Sequence, residues 1–98
     1  MQVEYKNSRI REICTNASIA EKKYSARMAE TIQRRIDQIQ SMDTVEHLVH
    51  FNVGGCHKLK GNRKEQYAMA LVGGYRLVFV VERGQIQIAE IIEIVDYH

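Results

Sequence analysis

The chain has 98 residues, of which 45% are hydrophobic and 27% charged, and its formal net charge is +2. This length favours a single domain spanning residues 1–98, and the composition argues against a disordered chain. No apolar run approaches the roughly 20 residues of a membrane span, and the polar start "MQVEYKNSR" lacks the apolar centre of a signal peptide. We therefore expect a cytoplasmic protein in which Cys14 and Cys56 are free thiols.

The N-terminal half predicts one short strand followed by helices. The alternating "QVEY" at residues 2–5 predicts an edge strand, and "NSRIREIC" predicts a short helix. Within residues 15–42, Ser18 and Glu21 stand in the S-x-x-E relation of a capping box, which predicts the start of a longer helix. Apolar residues then recur at helical spacing and are expected to face the core: Tyr24, Met28, Ile32, Ile36 and Ile39.

The second half changes from a helical to a strand-like period. "DTVEHLVHF" predicts a short helix opened by Asp43. "EQYAMALV", with Tyr67, Met69 and Leu71 on one face, is separated from "YRLVFVV" by the glycines at 73–74, which predicts a hairpin. A second turn at "ERGQ" leads into "IQIAEIIEIVDY", whose apolar residues at both parities indicate a strand covered on both faces over part of its length. We predict an α+β domain with the N-terminal helices packed on one face of an antiparallel β-sheet.

Basic side chains concentrate in the middle of the chain. Between residues 51 and 81 a single acidic residue, Glu65, is outnumbered by five basic ones: Lys58, Lys60, Arg63, Lys64 and Arg76. Such an excess can bind a phosphate chain, although the solvated charges of an ordinary loop produce the same pattern. Arg76 stands out because its neighbours in "GYRLVFVV" are apolar, so its guanidinium must reach an edge or an anion.

The last three residues, Asp96, Tyr97 and His98, directly follow the final strand pattern. Because neighbouring side chains alternate across a sheet, Asp96 and His98 are expected on one face and Tyr97 on the other. Together with His57 and the basic residues, they suit phosphodiester cleavage in RNA. That reaction takes a proton from a 2′-hydroxyl, balances charge on phosphorus and returns a proton to the leaving 5′-oxygen, for which such residues suffice without a metal or other cofactor.

The segment "HKLKGNRKEQYAMALVGGYRLVFVV", together with the terminal "DYH", resembles the HigB group of the RelE/ParE toxin superfamily, also described as plasmid maintenance killer proteins. In this group an H-x-L-K-G-x-R loop precedes a hairpin with a G-aromatic-R-L strand, and the chain closes on D-Y-H. The resemblance covers residues 56–81 and 94–98. It implies a compact RelE-like fold and the activity of a type II toxin, an endoribonuclease that cleaves messenger RNA on the ribosome. It also implies neutralisation by a cognate antitoxin, typically a HigA-like helix-turn-helix protein.

Residue by residue, the resemblance implies two sets of functional side chains. The catalytic set comprises His57, Lys60, Arg76, Asp96, Tyr97 and His98, and the RNA-binding set comprises Lys58, Arg63 and Lys64. In the implied mechanism, His98 or Tyr97 activates the 2′-hydroxyl and Asp96 orients the imidazole. Lys60, Arg63 and Arg76 balance the charge on phosphorus. His57 is the candidate acid, and the sequence does not decide which group is the base and which is the acid.

Other functions remain open from the sequence. The same scaffold fits a ParE-like toxin that inhibits DNA gyrase, or a toxin-like binding module without nuclease activity. The run His47, His50, Cys56 and His57 contains zinc-ligand types, but its spacing differs from the tighter pairs of usual zinc modules, so no metal is expected. For an acidic antitoxin, the candidate contact surface is the compact positive charge at Lys22, Lys23, Arg34 and Arg35.

Overall fold

The computed structural model describes residues 1–63 and 65–97. The helices are α1 (Ser8–Thr15), α2 (Ala17–Lys23), α3 (Ala26–Ser41) and α4 (Val45–His50). The strands are β1 (Gln2–Tyr5), β2 (His57–Lys58), β3 (Gln66–Ala70), β4 (Tyr75–Arg83) and β5 (Gln87–Asp96). Short 3₁₀ turns at Val53–Gly55 and Gly61–Arg63 flank β2.

The five strands form one sheet in the order β1-β5-β4-β3-β2. Strands β2 to β5 pair antiparallel, whereas β1 lies parallel to β5 at the edge of the sheet. The predicted α+β class and the edge position of "QVEY" are confirmed, but the sheet is mixed rather than wholly antiparallel. Parallel neighbours need a long connection, and the helices and the other strands all lie between β1 and β5 in the chain.

The predicted long helix is two helices that meet at Tyr24 and Ser25. The side chain of Asn16 caps α2 by accepting from the amides of Ser18 and Ile19, and that of Ser25 caps α3. The capping box predicted at Ser18 is therefore wrong, since Ser18 lies within the first turn of α2. The stripe itself is confirmed along α3, where four of its members are buried: Met28, Ile32, Ile36 and Ile39.

The short helices begin at side-chain caps. Asn7 caps α1 through the amide of Ile10, as expected for a helix over "NSRIREIC". Thr44, rather than the predicted Asp43, caps α4 through the amide of His47. The predicted cap is wrong by one residue. Asp and Thr are both favourable N-cap residues, so the sequence does not decide which of the two adjacent residues caps the helix.

The core lies between the helices and one face of the sheet. The sheet contributes Tyr67, Met69, Leu71, Leu77, Phe79, Ala89 and Ile91. This confirms the predicted inward face of β3. None of the helices in the described part of the chain combines the length and the apolar character needed to cross a membrane.

A bulge in β5 changes which side chains face the core. Val78 of β4 pairs with Glu93, whereas the next residue, Phe79, pairs with Ile91, so Ile92 is an extra residue in β5. Alternation therefore restarts after Ile92. This insertion is therefore one reason why apolar residues occur at both parities in β5. The sequence suggested only the other reason, cover on both faces of the strand.

After the bulge, the core-facing residue is Ile94, three positions after Ile91 instead of two. Glu93 is thereby turned away from the helices. Without the insertion, strict alternation would place this carboxylate on the core side with Ile91. The bulge thus positions an acidic side chain on the face of the sheet where basic residues also lie.

Candidate functional site

The face of the sheet opposite the helices is called here the open face. Its central rows follow from the strand register: His57–Ala68–Val78–Glu93 in one row and Ala70–Arg76–Val95 in the next. Residues directly opposite each other in antiparallel strands point to the same side. Two predicted site residues, His57 and Arg76, therefore share this face.

Arg63 contacts three side chains on the open face. Its Nη2 forms an ion pair with Glu93 Oε1, and its Nε donates to Gln66 Oε1 at 2.8 Å. The guanidinium carbon lies 5.7 Å from the centroid of the Tyr97 ring, within range of a cation–π contact. The 3₁₀ turn before β3 thus reaches across β4 to the end of β5, and it brings two predicted residues, Arg63 and Tyr97, together.

Tyr97 continues the ladder beyond β5, where its amide donates to the carbonyl of Gly74 at 2.9 Å. This bond places Tyr97 one step past the pair of Asp96 and Tyr75, on the side of Arg76. The Tyr75 ring packs edge-on against Tyr24 in the helical layer, 5.3 Å between centroids. Alternation therefore puts Asp96 on the helical side of the sheet, away from Tyr97. His98, the remaining member of the terminal motif, lies outside the described residues.

Arg76 lies at the end of the hairpin turn. Its Nη1 donates to the carbonyls of Tyr75 at 2.9 Å and Gly73 at 3.4 Å, and the side chain is partly exposed. A guanidinium has five N–H donors, so these bonds on one nitrogen leave donors for an anion. Arg76 thus lies at the turn end of a central strand, paired with both β3 and β5, and not at a sheet edge.

His57 lies on the other side of the open face from Tyr97. The row from His57 to Glu93 spans three strand spacings, or about 14 Å between backbones. The His57 ring is exposed, and its Nδ1 lies 3.0 Å from the carbonyl of Gly55. Lys60 is exposed in the loop after β2. The structure does not bring these two residues into contact with Tyr97.

Of the two predicted RNA-binding residues that the structure describes, Arg63 belongs to the open face and Lys58 does not. Lys58 pairs with Tyr67, whose side chain is in the core, and lines a depression with Val49 and His50 of α4. It therefore faces the helical side at the β2 edge. Lys64 lies outside the described residues.

Sequence analysis missed Glu93 and Gln66, the two side chains that hold Arg63. Glu93 falls in an apolar strand, and the only signal for its exposure is the change in spacing from Ala89 and Ile91 to Ile94. Gln66 had no signal, since its contact with Arg63 depends on how the 3₁₀ turn folds against β3. The candidate site is thus less uniformly positive than the sequence suggested.

The two cysteines are free, as predicted, and the structure shows that both are buried. Burial raises the pKa of each thiol, Cys14 and Cys56, to about 12, which keeps both protonated at neutral pH. No group of three or more metal-ligand side chains occurs in residues 1–63 and 65–97. The zinc interpretation of His47, His50 and Cys56 therefore has no geometric support within that part of the chain.

The proposed basic surface on the helices is divided by the fold. Arg35 turns inward, where its Nε donates to the carbonyl of Ala70 at 2.7 Å and its Nη1 donates to Gln38. Burial lowers the pKa of Arg35, with a smaller contribution from the charge of Arg34. Arg35 thus fastens α3 to the end of β3. Lys22, Lys23 and Arg34 keep exposed positions.

Comparison with known proteins identifies the fold. The chain is similar to the solved structure of a YoeB/ParE toxin from Agrobacterium tumefaciens, with a TM-score of 0.69 over 100% of both chains and 18% sequence identity. No protein-family model and no curated protein sequence matches the chain. At this identity the likeness shows the fold alone: the chain shares the compact α+β fold of that toxin, which confirms the fold class that the sequence predicted.

Proposed function

We propose that this chain is the HigB-like toxin of a type II toxin–antitoxin system, an endoribonuclease that cleaves messenger RNA on the ribosome. The observation that supports this most directly is the contact of the Arg63 guanidinium with the Tyr97 ring, on the same face as Arg76. Two cationic side chains and a phenol at one end of the open face suit the charge and the proton transfers of phosphodiester cleavage. The toxin-like fold supports the same assignment.

In the proposed reaction, the 2′-oxygen attacks the adjacent phosphorus and the 5′-oxygen leaves. Tyr97 or His98 takes the proton from the 2′-hydroxyl. Asp96 faces the helical side of the sheet, so we assign it no role at the phosphorus. Arg63 and Arg76 donate hydrogen bonds to the phosphorane oxygens as negative charge develops there. Lys60 adds positive charge from the loop. The separation across the sheet favours a contact of His57 with a neighbouring nucleotide over proton transfer at the same phosphorus. The leaving 5′-oxygen then takes its proton from water.

Proposed partners follow from this function. The ribosome and its messenger supply the substrate, and a separate HigA-like helix-turn-helix antitoxin neutralises the toxin. We propose a cytoplasmic location and no membrane partner. The exposed positive charge that an acidic antitoxin would contact on the helices comes from Lys22, Lys23 and Arg34. Arg35 is excluded from this surface because its side chain is bonded to the carbonyl of Ala70.

A cell-free translation reaction tests the activity. Added protein should cut the messenger inside its coding region and leave a 2′,3′-cyclic phosphate or a 3′-phosphate on the upstream fragment. The same messenger without ribosomes is the control, and it should stay intact. Fragments with a 3′-hydroxyl and a 5′-phosphate would exclude attack by the 2′-oxygen.

The same preparation should be assayed against DNA gyrase. An intact messenger together with inhibited supercoiling would support the ParE-like alternative. An intact messenger with unaffected gyrase would support a binding module without nuclease activity.

A further inference from the structure

Glu93 forms an ion pair with the guanidinium of Arg63, which the proposed function assigns to RNA binding. We propose that the Arg63–Glu93 ion pair is the closed state of a phosphate site, in which the carboxylate holds the place of an RNA phosphate and is displaced when RNA binds. This inference rests on the proposed function and concerns the same face of the protein. It gives Glu93 a role in controlling the affinity of that face for RNA.

The contacts of Arg63 show how the exchange can occur. Gln66 Oε1 accepts from Nε at 2.8 Å, and the Tyr97 ring lies against the guanidinium, so two contacts position Arg63 independently of Glu93. The ion pair uses Nη2, an outer nitrogen of the fork. Carboxylate and phosphate both accept hydrogen bonds from the guanidinium fork. Loss of Glu93 from Nη2 therefore leaves a guanidinium already aimed for a phosphate.

The exposure of the pair makes exchange feasible. The side chains of Arg63 and Glu93 are 34% and 37% exposed, so solvent and ligand can reach both. Ion pairs that solvent reaches contribute little net stability, because water and salt screen them. An RNA phosphate competing for Arg63 thus has only a small free energy to overcome.

The ion pair also covers part of the sheet. Ala68 and Val78 are both 0% exposed, yet they lie outside the core cluster formed with the helices. Val78 lies between Ala68 and Glu93 in its row, and the contact of Arg63 with Glu93 spans this part of β4. A purely structural role for the pair, as a cover over Val78, is the competing explanation that the experiment must separate.

The test measures binding of a fluorescent single-stranded RNA oligonucleotide in the absence of ribosomes. Glu93→Gln removes the competing charge, and the RNA should bind up to about fivefold more tightly, the range expected for an exposed ion pair. The salt dependence should also steepen by about 0.7 in log–log slope if one more phosphate contact forms on the single strand. Glu90→Gln is the matched control, since Glu90 lies on the same strand and the same face, opposite Val80. It should change binding much less.

Two further variants separate competition from packing. In the double variant Arg63→Ala with Glu93→Gln, the gain should vanish, because the guanidinium that Glu93 blocks is absent. Glu93→Met keeps an unbranched side chain at this position without the charge. It serves as the second variant if Glu93→Gln lowers the melting temperature, and it should bind RNA as tightly as Glu93→Gln. RNA binding by Glu93→Gln and Glu93→Met no tighter than that of the unmodified protein would overturn the inference and leave the pair as a structural cover.

The two proposals fail separately. If the unmodified protein cleaves messenger during translation but the Glu93 variants bind RNA no more tightly, only the role of Glu93 is wrong. If the Glu93 variants bind RNA more tightly but no protein cleaves messenger, the phosphate site stands and the nuclease assignment fails.

Discussion

Arg76 illustrates how one side chain can serve both the turn and the site. Its bonds to the carbonyls of Gly73 and Tyr75 stabilise the turn between β3 and β4. The same turn accepts the amide of Tyr97 at Gly74. Arg76 and Tyr97 are therefore positioned by one short segment, and a change in either can affect the other.

We predict that Arg76→Ala loses far more activity than stability. Removing a cationic donor from a developing charge on phosphorus should lower the cleavage rate about 10²- to 10³-fold. The bonds to partly exposed carbonyls should cost only about 1 kcal/mol in the free energy of unfolding. Cleavage is measured in the translation reaction, and stability is measured by urea denaturation.

Arg83→Ala is the control, since Arg83 lies at the other end of the same strand and pairs with Glu46 at 2.9 Å. It should leave cleavage unchanged. An Arg76→Ala protein as active as the Arg83→Ala protein would assign Arg76 to the turn alone.

At the scale of elements, Gly54 sets how closely the loop after α4 approaches α3. Its φ is +57°, which favours glycine, and a Cβ there would lie 2.7 Å from Arg35 Cδ and 2.9 Å from Met69 Cε. Arg35 cannot easily move because its Nε is bonded to the carbonyl of Ala70. The glycine thus lets helix, loop and β3 meet around one guanidinium.

Gly54→Ala should therefore destabilise the protein by about 2–4 kcal/mol, adding left-handed backbone strain to overpacking. Gly61→Ala is the matched control, with a φ of +66° and no atom within 4 Å of the added Cβ, so it should cost only the backbone strain of about 1–2 kcal/mol. Urea denaturation of both variants measures the difference. Equal losses would show that the contact with Arg35 relaxes freely.

The elements that the sequence predicted correctly are those whose signal is local. The buried stripe from Met28 to Ile39 and the hairpin around the glycines at 73–74 both depend on neighbours within a few residues. The break at Ser25 was missed because Tyr24 and Met28 keep helical spacing across it. There the cap contacts of Asn16 and Ser25 decide, and spacing does not report them.

At the scale of the whole molecule, the missed features are contacts between distant segments. The parallel pairing of residues 2–5 with 88–91 has no local pattern that distinguishes it from an antiparallel edge. The ion pair of Arg63 and Glu93 depends on both the strand order and the bulge. Sequence reasoning could therefore propose the residue types of the site, but the fold decides which of them meet.

A contact between distant segments also makes a pH prediction. Glu46 of α4 accepts from Gln87 Nε2 at 2.9 Å and pairs with Arg83, which fastens α4 to the far end of the β4–β5 hairpin. The hydrogen bond from Gln87 is the main cause that lowers the pKa of Glu46 below its ordinary value. A carboxyl with a lowered folded-state pKa stabilises the fold above its unfolded-state pKa, and that contribution is lost as pH falls through the folded-state pKa.

Glu46→Gln should therefore lower the melting temperature at pH 7 by a few degrees at most, since the pair is exposed, and flatten its decline between pH 5 and pH 3. Thermal melts at several pH values measure this, with Glu12→Gln on α1 as the control, and a decline as steep as that of the unmodified protein would contradict the prediction.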